Sequence, residues 1–139
     1  MDRVAESLFV GTIEDAATGS ILRNHGIETI VSLTHSPPDA GVSKSVSVTQ
    51  VPLTDGPQNK RAQFEAAVDA LLSALESGET VLEHCSRGAS RSPSVAATAL
   101  GIVQDIGIKQ AFEQVAEHRG ACDPHEALIR QAVTVYQER

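Results

Sequence analysis

Short apolar runs rich in β-branched residues alternate with longer amphipathic stretches along this chain. The short runs predict strands, because β-branched side chains favour extended backbone; they lie at 8–10, 29–33, 45–51 and 80–84. In the longer stretches apolar side chains recur at helical spacing, as at Phe64, Val68, Leu71 and Leu75. Helices are predicted at 15–25, 60–77, 92–106, 110–119 and 124–138. Asp123 is the expected N-cap of the last helix.

This alternation of strands and helices predicts a single α/β domain covering residues 1–139. Such a pattern implies a largely parallel sheet of four or five strands flanked by helices. A length of 139 residues fits one domain. Two clusters of turn-forming residues, at 36–41 and 54–59, are predicted loops within it. Ligands of such sheets bind beyond the carboxyl ends of the strands.

The charge balance narrows the expected partners and surroundings. With 18 acidic and 11 basic residues, the net charge is −7, whereas nucleic-acid-binding domains carry a basic footprint. The sequence contains no apolar run near the roughly 20 residues that a bilayer span needs. The polar N-terminus and the two cysteines favour a reducing, cytoplasmic location. We expect no nucleic-acid or membrane partner, and we expect a monomer. The acidic excess with only three lysines fits either a halophilic source or an ordinary acidic domain.

The segment 81–93 carries the candidate chemistry. Cys85 follows a predicted strand, and Arg91 lies six residues later, where a helix is predicted to begin. Small residues between them allow a tight loop whose N–H groups turn inward, and the following helix N-terminus adds positive potential. The planar guanidinium of Arg91 can bind two oxygens of one phosphate. The segment therefore predicts an anion cradle at the edge of the sheet.

A thiol in such a cradle is a candidate nucleophile. Helix N-termini and nearby cations lower the pKa of a thiol, and a thiolate below a bound phosphate can attack phosphorus in line. Ser92 can donate a hydrogen bond to the sulfur of Cys85. Asp55 lies on a predicted loop at the same sheet edge and can protonate the leaving group, then activate water. The alternative for Asp55 is a turn former, since aspartate before Gly-Pro is common in turns.

These motifs together resemble the dual-specificity phosphatases, a branch of the cysteine-dependent protein tyrosine phosphatase superfamily. The resemblance covers nearly the whole chain. It is carried by an opening strand and turn at 4–16, a second strand at 26–33, the signature at 84–93, and the last two helices with Pro124 and Tyr136. The expected fold is therefore dual-specificity-phosphatase-like.

The resemblance implies roles for individual residues. Cys85 is the expected nucleophile, Arg91 the phosphate clamp and Asp55 the general acid. His84 is expected to support the loop and the thiolate, and Ser92 to assist hydrolysis of the phosphoenzyme. The loop expected to bind the phosphate oxygens comprises Ser86, Arg87, Gly88, Ala89, Ser90 and Arg91. The implied reaction is hydrolysis of protein phosphotyrosine, phosphoserine or phosphothreonine through a phosphocysteine, without metal or cofactor.

Two residues, Glu83 and Arg87, depart from the family pattern, and functions of two other classes remain as alternatives. Glu83 stands where the family has an apolar residue, and we expect it to pair with an arginine. Arg87 either favours polyanionic substrates, such as inositol phosphates or phosphoinositides, or faces solvent. A catalytically silent phosphate-binding module and a rhodanese-like sulfurtransferase are the alternatives of other classes. Cys122 is expected to be a small, partly buried residue, and the remaining histidines lack metal-ligand spacing.

Overall fold

A five-stranded sheet forms the centre of the protein. The computed structural model describes residues 1–36 and 45–139. Within them the strands are β1 (Asp2–Ala5), β2 (Leu8–Gly11), β3 (Thr29–Ser32), β4 (Ser47–Gln50) and β5 (Val81–His84). The spatial order is β1-β2-β5-β3-β4, with β1 antiparallel to β2 and every other pair parallel. The predicted α/β domain with a largely parallel sheet is confirmed, and β1 is a strand that the sequence analysis missed.

Six helices flank the sheet in the described part of the chain. They are α1 (Ile13–Ala16), α2 (Gly19–Asn24), α3 (Arg61–Glu76), α4 (Arg91–Val103), α5 (Ile108–His118) and α6 (Glu126–Gln137). The prediction of one helix at 15–25 is wrong. A capping box between Thr12 and Asp15 starts α1 early, and the chain leaves helical geometry at Thr18 before α2 begins. The other four helices agree with the prediction to within a few residues.

The prediction that Asp123 caps the last helix is also wrong. His125 occupies the N-cap of α6, and its Nδ1 accepts a hydrogen bond from the backbone N–H of Ala127 at 3.0 Å. The backbone N–H of Asp123 instead donates to the carbonyl oxygen of Ala89 at 2.6 Å. The chain must approach the loop after β5 at this point, so the helix begins later than the local sequence suggests.

The two faces of the sheet bury separate apolar clusters. Because side chains alternate along a strand, Val81 and Leu82 of β5 point to opposite faces. Val81 belongs to the larger cluster, which contains residues of α3, α4, α5 and α6, and Leu82 belongs to the smaller one beside α1 and α2. All four residues of β5 are buried. The central strand is therefore held from both sides, and its carboxyl end is a rigid base for the loop that follows.

The segments around the carboxyl end of β5 are fastened to each other by backbone hydrogen bonds. Leu33, after β3, donates to the carbonyl oxygen of His84 at 2.9 Å, and Leu53, after β4, donates to that of Leu33 at 3.0 Å. These bonds bring the loop containing Asp55 beside the loop containing Cys85. Of the predicted turn at 36–41, only Ser36 lies among the described residues. Within the described ranges, no helix has the length and apolar character needed to cross a membrane.

Candidate active site

A cavity of about 430 Å³ opens at the carboxyl end of the sheet. It is lined by Asp55, Cys85, Ser86, Arg87, Ala89, Ser90, Arg91 and Asp123. The structure thus brings the three proposed reacting residues, Cys85, Arg91 and Asp55, into one space, although Asp55 is distant from the other two in sequence. Arg87 is exposed and lines the cavity wall. Asp123 also lines the cavity, although its local sequence indicates only a helix cap.

The loop 85–90 depends on a glycine at its centre. Gly88 has φ +65°, a left-handed conformation that glycine adopts without strain. A Cβ at this position would lie 2.6 Å from the carbonyl oxygen of Gly11 and 2.5 Å from Nη2 of Arg119. No side chain fits there, so the loop can pack this tightly only with glycine at position 88.

Cys85 is almost fully buried at the base of the cavity, with 2% of its surface exposed. Its Sγ lies 3.2 Å from the hydroxyl oxygen of Ser92. Burial alone would raise the pKa of this thiol. Hydrogen bonds from the side chain and backbone of Ser92, the charge of Arg91 and the backbone of Gly88 outweigh burial, so the pKa of Cys85 is lowered. The site therefore favours the thiolate, which is the nucleophilic form.

Arg91 is held by two hydrogen bonds that fix its plane. Its Nη1 donates to the carbonyl oxygen of Leu53 at 3.1 Å, and its Nη2 donates to the hydroxyl oxygen of Ser86 at 3.0 Å. A guanidinium has five N–H donors, so further donors remain to bind an anion in the cavity. The bond to Leu53 also connects the loop after β5 to the segment that carries Asp55.

Asp55 accepts a hydrogen bond from the hydroxyl of Ser90 at 2.6 Å. The same Ser90 oxygen accepts a hydrogen bond from the backbone N–H of His125 at 2.7 Å. Ser90 therefore connects the acid loop, the segment 54–59 that contains Asp55, to the N-terminus of α6. Only a backbone role is predicted for Ser90 from the sequence, because its contact with Asp55 joins residues 35 positions apart that no local pattern connects.

A second set of hydrogen bonds, made by Asn59, holds the C-terminal end of the acid loop. The side-chain oxygen of Asn59 accepts from the backbone N–H of Thr54 at 2.9 Å, and its amide nitrogen donates to Gln131 at 2.9 Å. Gln131 in turn donates to the carbonyl oxygen of Asn59 at 2.6 Å. This pair ties the segment 54–59 to α6. Neither residue was identified from the sequence, since a single Asn in a turn gives no sign of so distant a partner.

His84 supports the loop from below the cavity. Its ring Nδ1 lies 3.0 Å from the carbonyl oxygen of Cys85. Burial lowers the pKa of this imidazole, although the hydrogen bond to Cys85 acts in the opposite direction. Because a carbonyl oxygen can only accept, Nδ1 carries the proton of the neutral ring. The histidine thereby anchors the peptide at which the loop 85–90 starts.

The expected pairing of Glu83 with an arginine is wrong. Glu83 is completely buried, and neither carboxyl oxygen has a hydrogen-bond partner among the described residues. In register with Val10 and Val31, it lies in the middle of the sheet, where no described arginine forms a hydrogen bond with it. Burial, with a smaller contribution from Cys85, raises the pKa of Glu83 well above its usual value. The raised pKa favours the neutral carboxyl over the carboxylate at this buried position beside Cys85.

The second thiol lies in a different cavity. Cys122 is half-buried and lines an apolar cavity between α5 and α6, with residues such as Phe112 and Ile129. Burial raises the pKa of this thiol. The prediction of a small, partly buried residue is confirmed. In the described ranges, no group of three or more His, Cys, Asp and Glu side chains is arranged to hold a metal ion.

Comparison with known proteins identifies the family. The model of the dual specificity phosphatase catalytic domain matches residues 8–138, which is nearly the whole chain. The chain therefore belongs to the dual specificity phosphatase family, as the resemblance in the sequence suggests.

Individual relatives agree with this assignment. The chain is 29% identical to dual specificity protein phosphatase 26 of Bos taurus over 140 residues, covering 96% of this chain and 66% of that protein. It is 28% identical to dual specificity protein phosphatase 1 of Arabidopsis thaliana, covering 92% of this chain and 65% of that protein. The chain thus spans about two thirds of the length of these relatives. The crystal structure of human dual specificity phosphatase 28 superposes with a TM-score of 0.89 at 25% identity, covering 99% and 96% of the two chains.

Proposed function

We propose that this domain hydrolyses phosphate monoesters through a phosphocysteine intermediate, with phosphorylated tyrosine, serine or threonine of proteins as the substrate class. One observation carries the proposal: a thiol with a lowered pKa, an arginine and a carboxyl group, Cys85, Arg91 and Asp55, line the same cavity. Membership of the dual specificity phosphatase family supports both the reaction and the substrate class. The arrangement supplies a nucleophile, an anion clamp and a proton donor without requiring a cofactor.

In the first step, the thiolate of Cys85 attacks phosphorus. The loop N–H groups and the free donors of Arg91 bind the phosphate oxygens and stabilise the charge of the transition state. An S–P bond forms as the P–O bond to the leaving group breaks, and Asp55 transfers its proton to the departing oxygen. The hydrogen bond from Ser90 holds the carboxyl group of Asp55 beside the cavity for this transfer.

In the second step, water releases the phosphate. Asp55, now a carboxylate, takes a proton from the water as the water oxygen attacks phosphorus. The S–P bond breaks and the electron pair returns to the sulfur of Cys85. The Ser92 hydroxyl, 3.2 Å from that sulfur, donates a hydrogen bond to the departing thiolate. His84 keeps the start of the loop fixed through both steps.

Family membership does not favour the other substrate and function classes. The exposed Arg87 on the cavity wall would suit a polyanionic substrate such as an inositol phosphate, but Asp123 on the same wall would repel one. The complete set of Cys85, Arg91 and Asp55 argues against a catalytically silent module. A monomeric, cytoplasmic protein remains part of the proposal, and the acidic composition fits either a halophilic source or an ordinary acidic domain.

The test compares two substrates whose leaving groups differ in their need for a proton. The wild type, Cys85→Ser, Asp55→Asn and Asp123→Asn are assayed without added metal on p-nitrophenyl phosphate and phenyl phosphate, at low and high salt. We expect no turnover in Cys85→Ser and inhibition of the wild type by vanadate. Asp55→Asn is expected to lose about 10²- to 10⁴-fold on phenyl phosphate, the range for a general acid, and much less on p-nitrophenyl phosphate.

Asp123→Asn is the matched control, because it removes a second carboxylate from the same cavity. An equal preferential loss on phenyl phosphate in Asp123→Asn would show that Asp55 is not the specific acid. Metal-free turnover that survives in Cys85→Ser would contradict the phosphocysteine mechanism. A wild type that binds vanadate but turns over neither substrate would favour the silent module instead.

A further inference from the structure

A buried arginine outside the sequence motif contacts the back of the loop 85–90. Arg119 follows α5 and is 6% exposed. Its Nε donates to the carbonyl oxygen of Gly88 at 2.7 Å, and its Nη2 donates to that of Arg87 at 3.0 Å. Its Nη1 forms an ion pair with Asp2 of β1 at 3.0 Å. Each guanidinium nitrogen therefore has a partner, and two of the three partners belong to the loop.

These two bonds determine which way the loop peptides face. The C=O and N–H of a planar trans peptide point in opposite directions. Holding the carbonyls of Arg87 and Gly88 towards Arg119 turns the N–H groups of Gly88 and Ala89 away from it. The Gly88 N–H is a hydrogen-bond partner of Cys85, and Ala89 lines the cavity. The side of the loop opposite Arg119 is thus the side on which an anion would bind.

The guanidinium of Arg119 packs tightly against the loop at Gly88. A Cβ on Gly88 would meet Nη2 of Arg119 at 2.5 Å, so the guanidinium lies directly against the glycine. Hydrogen bonds from a charged donor are stronger than neutral ones. The rigid fork of arginine reaches two carbonyls at once, whereas the single ammonium of lysine cannot match that geometry.

We propose that Arg119 is a positioning residue of the active site, which holds two carbonyls of the phosphate-binding loop outward so that the following N–H groups face the phosphate. This inference rests on the proposed function of the same site. Arg119 itself does not touch the substrate. Its effect is transmitted through the loop to phosphate binding and to the ionisation of Cys85.

The test uses Arg119→Lys and Arg119→Met in a Cys122→Ser background, so that Cys85 is the only thiol. Arg130→Met is the matched control, since Arg130 is an exposed arginine whose ion pair lies within α6. Binding of inorganic phosphate is measured by calorimetry, and the alkylation rate of Cys85 by iodoacetamide is measured against pH. Turnover of p-nitrophenyl phosphate and thermal unfolding are recorded for every protein.

We expect Arg119→Met to bind phosphate more weakly and to lose kcat/KM by on the order of 10- to 100-fold, the effect of misplacing a catalytic group by about 1 Å. The pH midpoint of Cys85 alkylation should move upward, with Arg119→Lys between Met and the wild type. A purely structural role would lower thermal stability without moving that midpoint. Unchanged phosphate binding and an unchanged midpoint in folded Arg119→Met, or in Arg119→Lys if the Met variant does not fold, would overturn the inference.

The two proposals fail in different ways. If the wild type binds phosphate but does not turn over substrate, the proposed function fails, and weaker phosphate binding in the Arg119 variants would still support the positioning role. If the wild type is active and the Arg119 variants match Arg130→Met in every measurement except stability, the function stands and the positioning role is refuted.

Discussion

Replacing Glu83 with glutamine removes a buried ionisable group while keeping its volume. In the folded protein the pKa of Glu83 is raised well above its usual value, mainly because the carboxyl is buried without a partner. In the unfolded chain the carboxyl ionises near pH 4.3, as a free glutamate does. Above that pH the unfolded state releases a proton that the folded state keeps. The contribution of Glu83 to the free energy of unfolding therefore falls as the pH rises.

The size of this effect follows from proton linkage. One proton held only by the folded state lowers the free energy of unfolding by about 1.4 kcal/mol for each pH unit, for as long as Glu83 stays protonated in the folded protein. The contribution of Glu83 to stability is complete below the unfolded pKa and is lost as the pH rises through the folded pKa. Glu83→Gln cannot ionise in either state, so its advantage over the wild type should grow by this amount per pH unit.

Urea unfolding of the wild type and Glu83→Gln at pH 5, 6 and 7 measures the difference directly. The pH at which the difference stops growing reports the pKa of Glu83 in the folded protein. Glu76→Gln is the matched control, because Glu76 is exposed at the end of α3 and should show a flat difference. Glu83→Met should be more stable still, by about 1–3 kcal/mol, since it also removes the unpartnered buried oxygens. An advantage of Glu83→Gln that is the same at all three pH values would refute the reasoning.

Three further predictions concern the loops around the cavity. Gly88→Ala should lower the free energy of unfolding by at least about 1–2 kcal/mol, the cost of a left-handed alanine, in urea unfolding; Gly120→Ala, where a Cβ meets open space, should not. Ser92→Ala should raise the pKa of Cys85, seen as a higher pH midpoint of thiol alkylation, because it removes a hydrogen bond to the sulfur; an unchanged midpoint would contradict this. Asn59→Ala should slow turnover of phenyl phosphate more than that of p-nitrophenyl phosphate, by loosening the acid loop; equal losses would argue against that role.

The parts of the fold that the sequence predicts are those with a strong local pattern. The helix at α3 follows from its apolar spacing, and the strands at β3 and β5 follow from their β-branched and apolar runs. The strand β1 was missed because its polar residues, Asp2 and Arg3, give no such pattern. Its position depends on pairing with β2, which a scan along the chain cannot see. The early start of α1 was also missed, because the capping box between Thr12 and Asp15 sets it rather than apolar spacing.

The same distinction applies to the site, in which some residues belong to one short loop and others come from distant segments of the chain. Cys85 and Arg91 could be identified because their role needs specific residue types on one short loop before a helix. Arg119 could not be, because it lies 31 residues beyond Gly88 in sequence and reaches that loop only through the position at which α5 ends. The failed pairing of Glu83 has the opposite cause: the sequence indicates the need for a partner, but Val10 and Val31 flank Glu83 in the sheet, and its raised pKa favours the neutral form. The residues proposed to react can thus be predicted from a local sequence pattern, whereas those proposed to orient them depend on a fold that brings distant segments together.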